Sequence, residues 1–174
     1  MATTYTPAER GELQKRLDSF KTALDAGKAD EEIDLSAADI NALISENAQL
    51  KGKLSVMIED DTIKGRVSVP MKDILPQKHL ETLKLAGRYL NGVATFRVGV
   101  TNGQPDVHLV EIQVKDKAPP SFLAPFVEEF KKQNLAKDYQ APADQKIDLG
   151  SIMLKDGKVH LRSRAPQPAA PQPK

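Results

Sequence analysis

Three histidines, His79, His108 and His160, are the side chains in this sequence best suited to proton transfer or metal ligation. No two of them stand at the i, i+4 spacing that puts a ligand pair on one helix face. There is no cysteine, which rules out thiolate zinc sites, disulfides and cysteine nucleophiles. His108 and His160 each fall in a strand pattern and could meet across a sheet, but the ordinary role of a strand histidine is a surface one. No metal site is assigned. A serine nucleophile would need a Gly-x-Ser-x-Gly turn to expose it, and phosphate binding would need a glycine-rich cradle; the sequence has neither. Asp60-Asp61 and Glu128-Glu129 are acidic pairs, placed at a hairpin tip and on a helix surface. Those positions serve turn formation and solvation better than general acid–base work. We expect no enzyme and no cofactor.

Two constellations have functional reach. Phe122, Phe126 and Phe130 recur at four-residue intervals and are three of the five phenylalanines. Their ordinary role is to pack a helix across a sheet. Their functional role would be to line an apolar groove between helix and sheet, suited to a lipid or acyl chain. The polar side of that helix (Glu128, Glu129, Lys131, Lys132) is not basic enough for a membrane-surface helix. Gly87 and Gly92 bracket Arg88, Tyr89, Leu90 and Asn91, a pattern for a bulge or tight bend before a strand. Such a bend would aim Arg88, Tyr89 and Asn91 as a polar patch. The expected ligand-binding set is therefore Phe122, Phe126, Phe130, Arg88, Tyr89 and Asn91.

The elements that must position these residues are legible from their punctuation. Thr6-Pro7-Ala8-Glu9 is a capping box with proline at the first helical position. Leu13, Leu17, Phe20 and Leu24 then give an amphipathic helix that Gly27 stops. Ser36-Ala37-Ala38-Asp39 starts a second helix, with Ile40, Leu43 and Ile44 inward and Asn47 at its end. Ile33-Asp34-Leu35 reads as the apolar staple at its entry. Leu54 to Glu59 and Ile63 to Val69 alternate as half-buried antiparallel strands, and Pro70 ends the second. Met71 to Leu85 is irregular, with a short helical turn around His79 to Leu83.

A strand from Val93 to Val100 then puts Ala94, Phe96, Val98 and Val100 on one face. Another from Val107 to Lys115 puts His108, Val110, Ile112 and Val114 on one face. A third helix should run from Pro119-Pro120-Ser121 to about Asn134, before a last hairpin of Ile147 to Lys155 and Lys158 to Arg164. Asn102-Gly103 and Asp156-Gly157 are strong type I′ hairpin signals, and Asp60-Asp61 a weaker one. The order α-α-β-β-β-β-α-β-β predicts an α+β domain. We expect one twisted antiparallel sheet of about six strands, with two to three helices packed on it. Residues 1–32 would be an N-terminal amphipathic helix, 33–164 the α+β domain, and 165–174 a disordered Pro/Ala/Gln-rich tail.

At 174 residues the chain suits one domain, and 25 basic against 24 acidic residues leave a net charge of +1. That balance offers no field for nucleic acid or an anionic membrane. No stretch approaches the roughly 20 apolar residues of a transmembrane helix. The polar opening Met1 to Pro7 fits either a cytoplasmic protein or a segment that follows an N-terminal anchor.

Leu35-Ser36-Ala37-Ala38-Asp39-Ile40-Asn41-Ala42-Leu43-Ile44, Gly87-Arg88-Tyr89-Leu90-Asn91-Gly92, Gln133-Asn134-Leu135-Ala136 and Asp156-Gly157-Lys158 together resemble a group of uncharacterised bacterial envelope-associated α+β proteins. The opening motif is also similar to tubular lipid-binding-like domains. The resemblance spans Leu35 to Arg162. It implies that Asn41 ties the second helix to the sheet, that Arg88 and Asn91 fix a bend, and that the protein is envelope-associated. The function expected is a non-enzymatic domain that binds a lipid or apolar small molecule in a helix–sheet groove. The alternative is a structural or protein-interaction module with a filled core. A protein partner fits either; nucleic acid fits neither.

Overall fold

A computed structural model describes residues 5–48, 50–59, 62–114, 120–137 and 149–164. Helix α1 (Pro7–Asp25) forms where its cap predicts. Thr6 Oγ1 accepts from the Glu9 N–H at 3.3 Å, and the Glu9 carboxylate accepts from the Thr6 N–H at 2.7 Å. Its end is a Schellman turn. Gly27, at φ 64°, donates to the Leu24 carbonyl, and Lys28 donates back to Ala23. Leu13, Phe20, Ala23 and Leu24 form its buried face.

The residues expected to staple the second helix are instead a strand, β1 (Glu32–Ser36). Ile33 and Leu35 are buried while Glu32 and Asp34 are exposed, the two-residue period of a half-buried strand. Five residues running straight into a helix cap carry too little local signal to separate strand from staple. The partner that makes the difference is β7 (Lys158–Ser163), with Leu35 opposite Val159. Helix α2 (Ala37–Glu46) follows directly, closed by a reciprocal Ser36–Asp39 box.

The expected single sheet is two antiparallel sheets. One has the order β1-β7-β6, with β6 at Leu149–Lys155. The other has the order β2-β3-β4-β5, at Leu54–Glu59, Thr62–Pro70, Tyr89–Thr101 and Gln104–Gln113. Seven strands and four α-helices are present among the described residues. The additions to the expected count are β1 and a short helix α3 (Gln77–Thr82). The sheets separate because the outer edge of β5 is already taken. Asn134 Oδ1 accepts from the Val107 N–H at 3.0 Å, and the Leu135 N–H donates to the Val107 carbonyl at 2.7 Å. The last hairpin bonds to the β4–β5 turn through Leu149 N–H to the Gly103 carbonyl at 3.0 Å, lies against β4 without a ladder, and pairs with β1.

Asn102-Gly103 and Asp156-Gly157 make their turns with φ of 54° and 76°, and of 52° and 68°, the left-handed pair of a type I′ hairpin. Asp60-Asp61 lies outside the described residues, as do the tail 165–174 and the chain between Lys115 and Pro119. The expected face of β5 is corrected by a bulge. Thr95 pairs with Glu111 but Phe96 with Leu109, so Val110 is the extra residue. Leu109 and Ile112 therefore share a face, His108 lies on the other, and Val110 is 50% exposed.

Two cores result. The larger joins Leu13, Phe20, Leu24, Ile33, Leu35, Ala42, Ile44, Val56, Ile63, Leu149 and Val159, so α1 packs into the same interior as both sheets. The smaller gathers Met71, Leu75, Leu80 and Leu123, with Ile74, Leu85, Leu90 and Phe126 beside them.

Candidate functional site

The phenylalanine segment is not one continuous helix. Ser121–Leu123 is a 3-10 turn, and helix α4 begins at Ala124 and runs to Lys132. Pro125 is the reason. It has no N–H to return to the preceding turn, so it suits the first turn of an α-helix and not its interior. Phe122 thus sits on the 3-10 turn, and Leu123, only 2% exposed, is the residue driven into the smaller core. Phe126 packs beside it and meets the His79 ring edge-to-face, centroids 6.2 Å apart. Phe122 and Phe130 are 38% and 39% exposed.

Arg88 precedes β4 and is exposed, and its carbonyl accepts from the Met71 N–H at 2.9 Å. Gly87 makes the bend, at φ 75°. Tyr89 and Asn91 stand one residue either side of Leu90 and so point to the opposite face of β4. Leu90 joins Phe126 in the smaller core, while Tyr89 and Asn91 are exposed. The structure therefore brings Phe126 and Leu90 together but does not gather the six expected residues into one lining. Gly92 lies within the strand, opposite Val67. It serves as a close approach, because an added Cβ would run into the backbone carbonyl of Gln113.

The geometry builds a second site that sequence reasoning passed over. Between α1 and β1 lies a cleft of about 850 Å3 whose lining includes Tyr5, Arg16, Phe20, Glu32, Asp34 and Lys158. At its base Asp39 is buried and fully engaged. Its Oδ2 accepts from the Ser36 N–H at 2.8 Å and the Ser36 hydroxyl at 2.7 Å. Its Oδ1 accepts from the Tyr5 hydroxyl at 2.8 Å and the Arg16 guanidinium at 3.2 Å. Burial alone pushes this carboxyl up, but the Ser36 and Tyr5 hydrogen bonds and the Arg16 charge together hold it below the usual carboxylate range. Burial and the bond to Asp39 raise the Tyr5 phenol. The helix-cap half of this cluster was legible as Ser36-Ala37-Ala38-Asp39. Tyr5 and Arg16 were not, because they reach Asp39 only across the packed helix pair.

The Glu32 and Asp34 side chains on the cleft wall are also engaged. Arg16 donates to the Asp34 carbonyl, Arg162 pairs with Glu32, and His160 Nδ1 lies 2.6 Å from Asp34. His108 belongs to the other sheet, its Nε2 2.9 Å from Asp106 and its Nδ1 3.4 Å from the Lys131 carbonyl on α4. The two strand histidines therefore do not meet. Asn41 is the residue on which the resemblance and the geometry touch. Its amide donates to the Val56 carbonyl at 2.7 Å and accepts from the Val56 N–H at 2.6 Å, tying α2 to β2.

An α+β protein of two antiparallel sheets, with its buried carboxylate engaged by four hydrogen bonds, is the class that these features define. Comparison with protein-family models, with curated proteins and with solved structures finds no match to this chain.

Proposed function

We propose that this protein is a non-enzymatic interaction module whose contact surface is the outward side of the Ser121–Lys132 segment. The observation that carries this reading is the division of labour within that segment. Leu123 and Phe126 occupy the smaller core, while Phe122 and Phe130 keep more than a third of their surface in water. Apolar rings left partly exposed beside a buried core favour a partner that covers them over a small molecule held beneath them. The engagement of Asp39 points the same way, since a carboxylate already bound to four donors is poorly placed for proton transfer. A setting at the bacterial envelope rests on the sequence resemblance alone.

The test is native mass spectrometry of freshly purified protein, followed by organic extraction. A clean apoprotein mass at 19.1 kDa supports the interaction module. A reproducible extra mass, shed on denaturation and recovered as a lipid, overturns it in favour of an apolar-ligand carrier.

A further inference from the structure

Strand parity assigns each backbone group of β1 to a side. The Ser163 N–H donates to the Glu31 carbonyl at 2.9 Å, and Ile33 and Leu35 follow opposite Leu161 and Val159. Alternate residues bond the same neighbour, so Glu31, Ile33 and Leu35 turn their backbone toward β7. Glu32, Asp34 and Ser36 turn theirs away from it. Two of these outward groups are taken. Arg16 donates to the Asp34 carbonyl, and the Ser36 N–H donates to Asp39 at 2.8 Å. Among the described residues nothing bonds the Glu32 N–H, the Glu32 carbonyl or the Asp34 N–H.

That bare stretch of edge lies in the cleft of about 850 Å3 between α1 and β1. Ile33 lines the cleft from the buried face of the sheet, and Glu32, Asp34 and Lys158 line it from the other face. The cleft therefore follows the strand edge, with Arg16 and Phe20 of α1 as its far wall. Its ends differ in charge. Glu31 stands just before the strand, while Arg16 and Lys158, the latter opposite Ser36, stand at the far end. The Lys158 ammonium has no partner among the described residues. The Arg16 guanidinium donates to Asp39 and Asp34 and keeps further N–H groups for a ligand.

We propose that this cleft binds the C-terminal end of an extended peptide, added to β1 as a parallel strand with its carboxylate at Arg16 and Lys158. In that register the last peptide residue lies opposite Ile33. Its N–H donates to the Glu32 carbonyl, and its carboxylate accepts from the Asp34 N–H. The peptide carbonyl two residues earlier accepts from the Glu32 N–H, so every bare group on the edge is paired. An antiparallel strand would instead bring an N–H, or a terminal ammonium, against the Asp34 carbonyl that Arg16 already holds. The charges run in the same direction: a carboxylate meets the cations at one end, and a basic residue stands opposite Glu31 at the other. The last side chain shares the face of Ile33 and meets Phe20, so an apolar residue suits it. This surface is separate from Phe122 and Phe130. So few ladder bonds give a weak, reversible complex.

The probe is acetyl-Thr-Lys-Thr-Val with a free C-terminal carboxylate, titrated to about 5 mM into the isotope-labelled full chain and read by amide NMR. The Glu32 and Asp34 amide signals are expected to move and saturate with a Kd of about 1 mM or below, while those of Phe122 and Phe130 stay in place. The same peptide as its C-terminal amide binds at least about tenfold more weakly. Lys158→Gln weakens binding of the free acid by about threefold or more. Lys158 is exposed, so this variant keeps the wild-type circular dichroism spectrum. Glu32 and Asp34 signals that do not move, or movement confined to Phe122 and Phe130, overturns the proposal. Equal binding of acid and amide, or a Lys158→Gln variant that binds like wild type, also overturns it.

Discussion

Asp39 shows how one residue serves two levels of structure. Its backbone and Oδ2 complete the cap of α2, while Oδ1 gathers Tyr5 and Arg16 from the N-terminal segment and α1. Asp39→Asn replaces one accepting oxygen with a donor in front of donors and should cost about 2 kcal/mol, read by urea unfolding. The effect depends on pH. The folded carboxyl lies below its ordinary value, so its contribution is complete above the unfolded value of about 4 and is lost as pH falls through the folded value. Asparagine does not titrate, so the stability gap between wild type and variant narrows below about pH 4. Asn41→Ala strips both partners from Val56 on β2 and should cost about 2 kcal/mol, with faster hydrogen exchange at the Val56 amide. Neither effect needs a ligand.

Among the elements, the paired strands β3 and β4 carry two kinds of glycine. At Gly92 an alanine Cβ meets the Gln113 backbone, which the β4–β5 ladder holds in place. Gly92→Ala should cost about 2–3 kcal/mol. Gly65 on β3 also lacks room, but its neighbours are the Leu54 and Phe96 side chains, at 2.7 and 2.8 Å from an added Cβ. Those can turn aside, and Gly65→Ala should cost about 1 kcal/mol, both costs being read by urea unfolding. The segment before the last hairpin is similarly divided. Leu123→Ala opens a hole in the smaller core and should cost about 2–4 kcal/mol, whereas Phe130→Ala should cost about 1 kcal/mol. Reversal of that order in chemical unfolding would place Phe130 in the core and remove the contact surface proposed for it.

At the scale of the whole molecule, the described residues form two cores of unequal size sharing one four-stranded sheet. The larger holds α1, α2 and parts of both sheets, and the smaller holds the helical connection after β3 and the start of the α4 segment. Native-state hydrogen exchange should therefore open α3 and α4 before the β3–β4 ladder, since fewer buried apolar contacts hold them. The sequence by itself determined the elements with local grammar. Both helix caps, the Gly27 stop, the two Asx-Gly turns and most strand runs follow from side-chain hydrogen bonds, positive-φ tolerance and two-residue periods, all acting within a few residues. The tertiary structure decided what local grammar cannot carry. That Ile33-Asp34-Leu35 is a strand depends on β7, far along the chain. That there are two sheets depends on Asn134 and Leu135 occupying the β5 edge. That Val110 is exposed depends on a bulge visible only in the pairing with β4. That Leu123, and not Phe122, fills the smaller core depends on Pro125 restarting the helix against Met71, Leu75 and Leu80. Each of these choices needs a packing or pairing partner outside the segment itself, because backbone edges and apolar faces are satisfied by whatever packing brings to them.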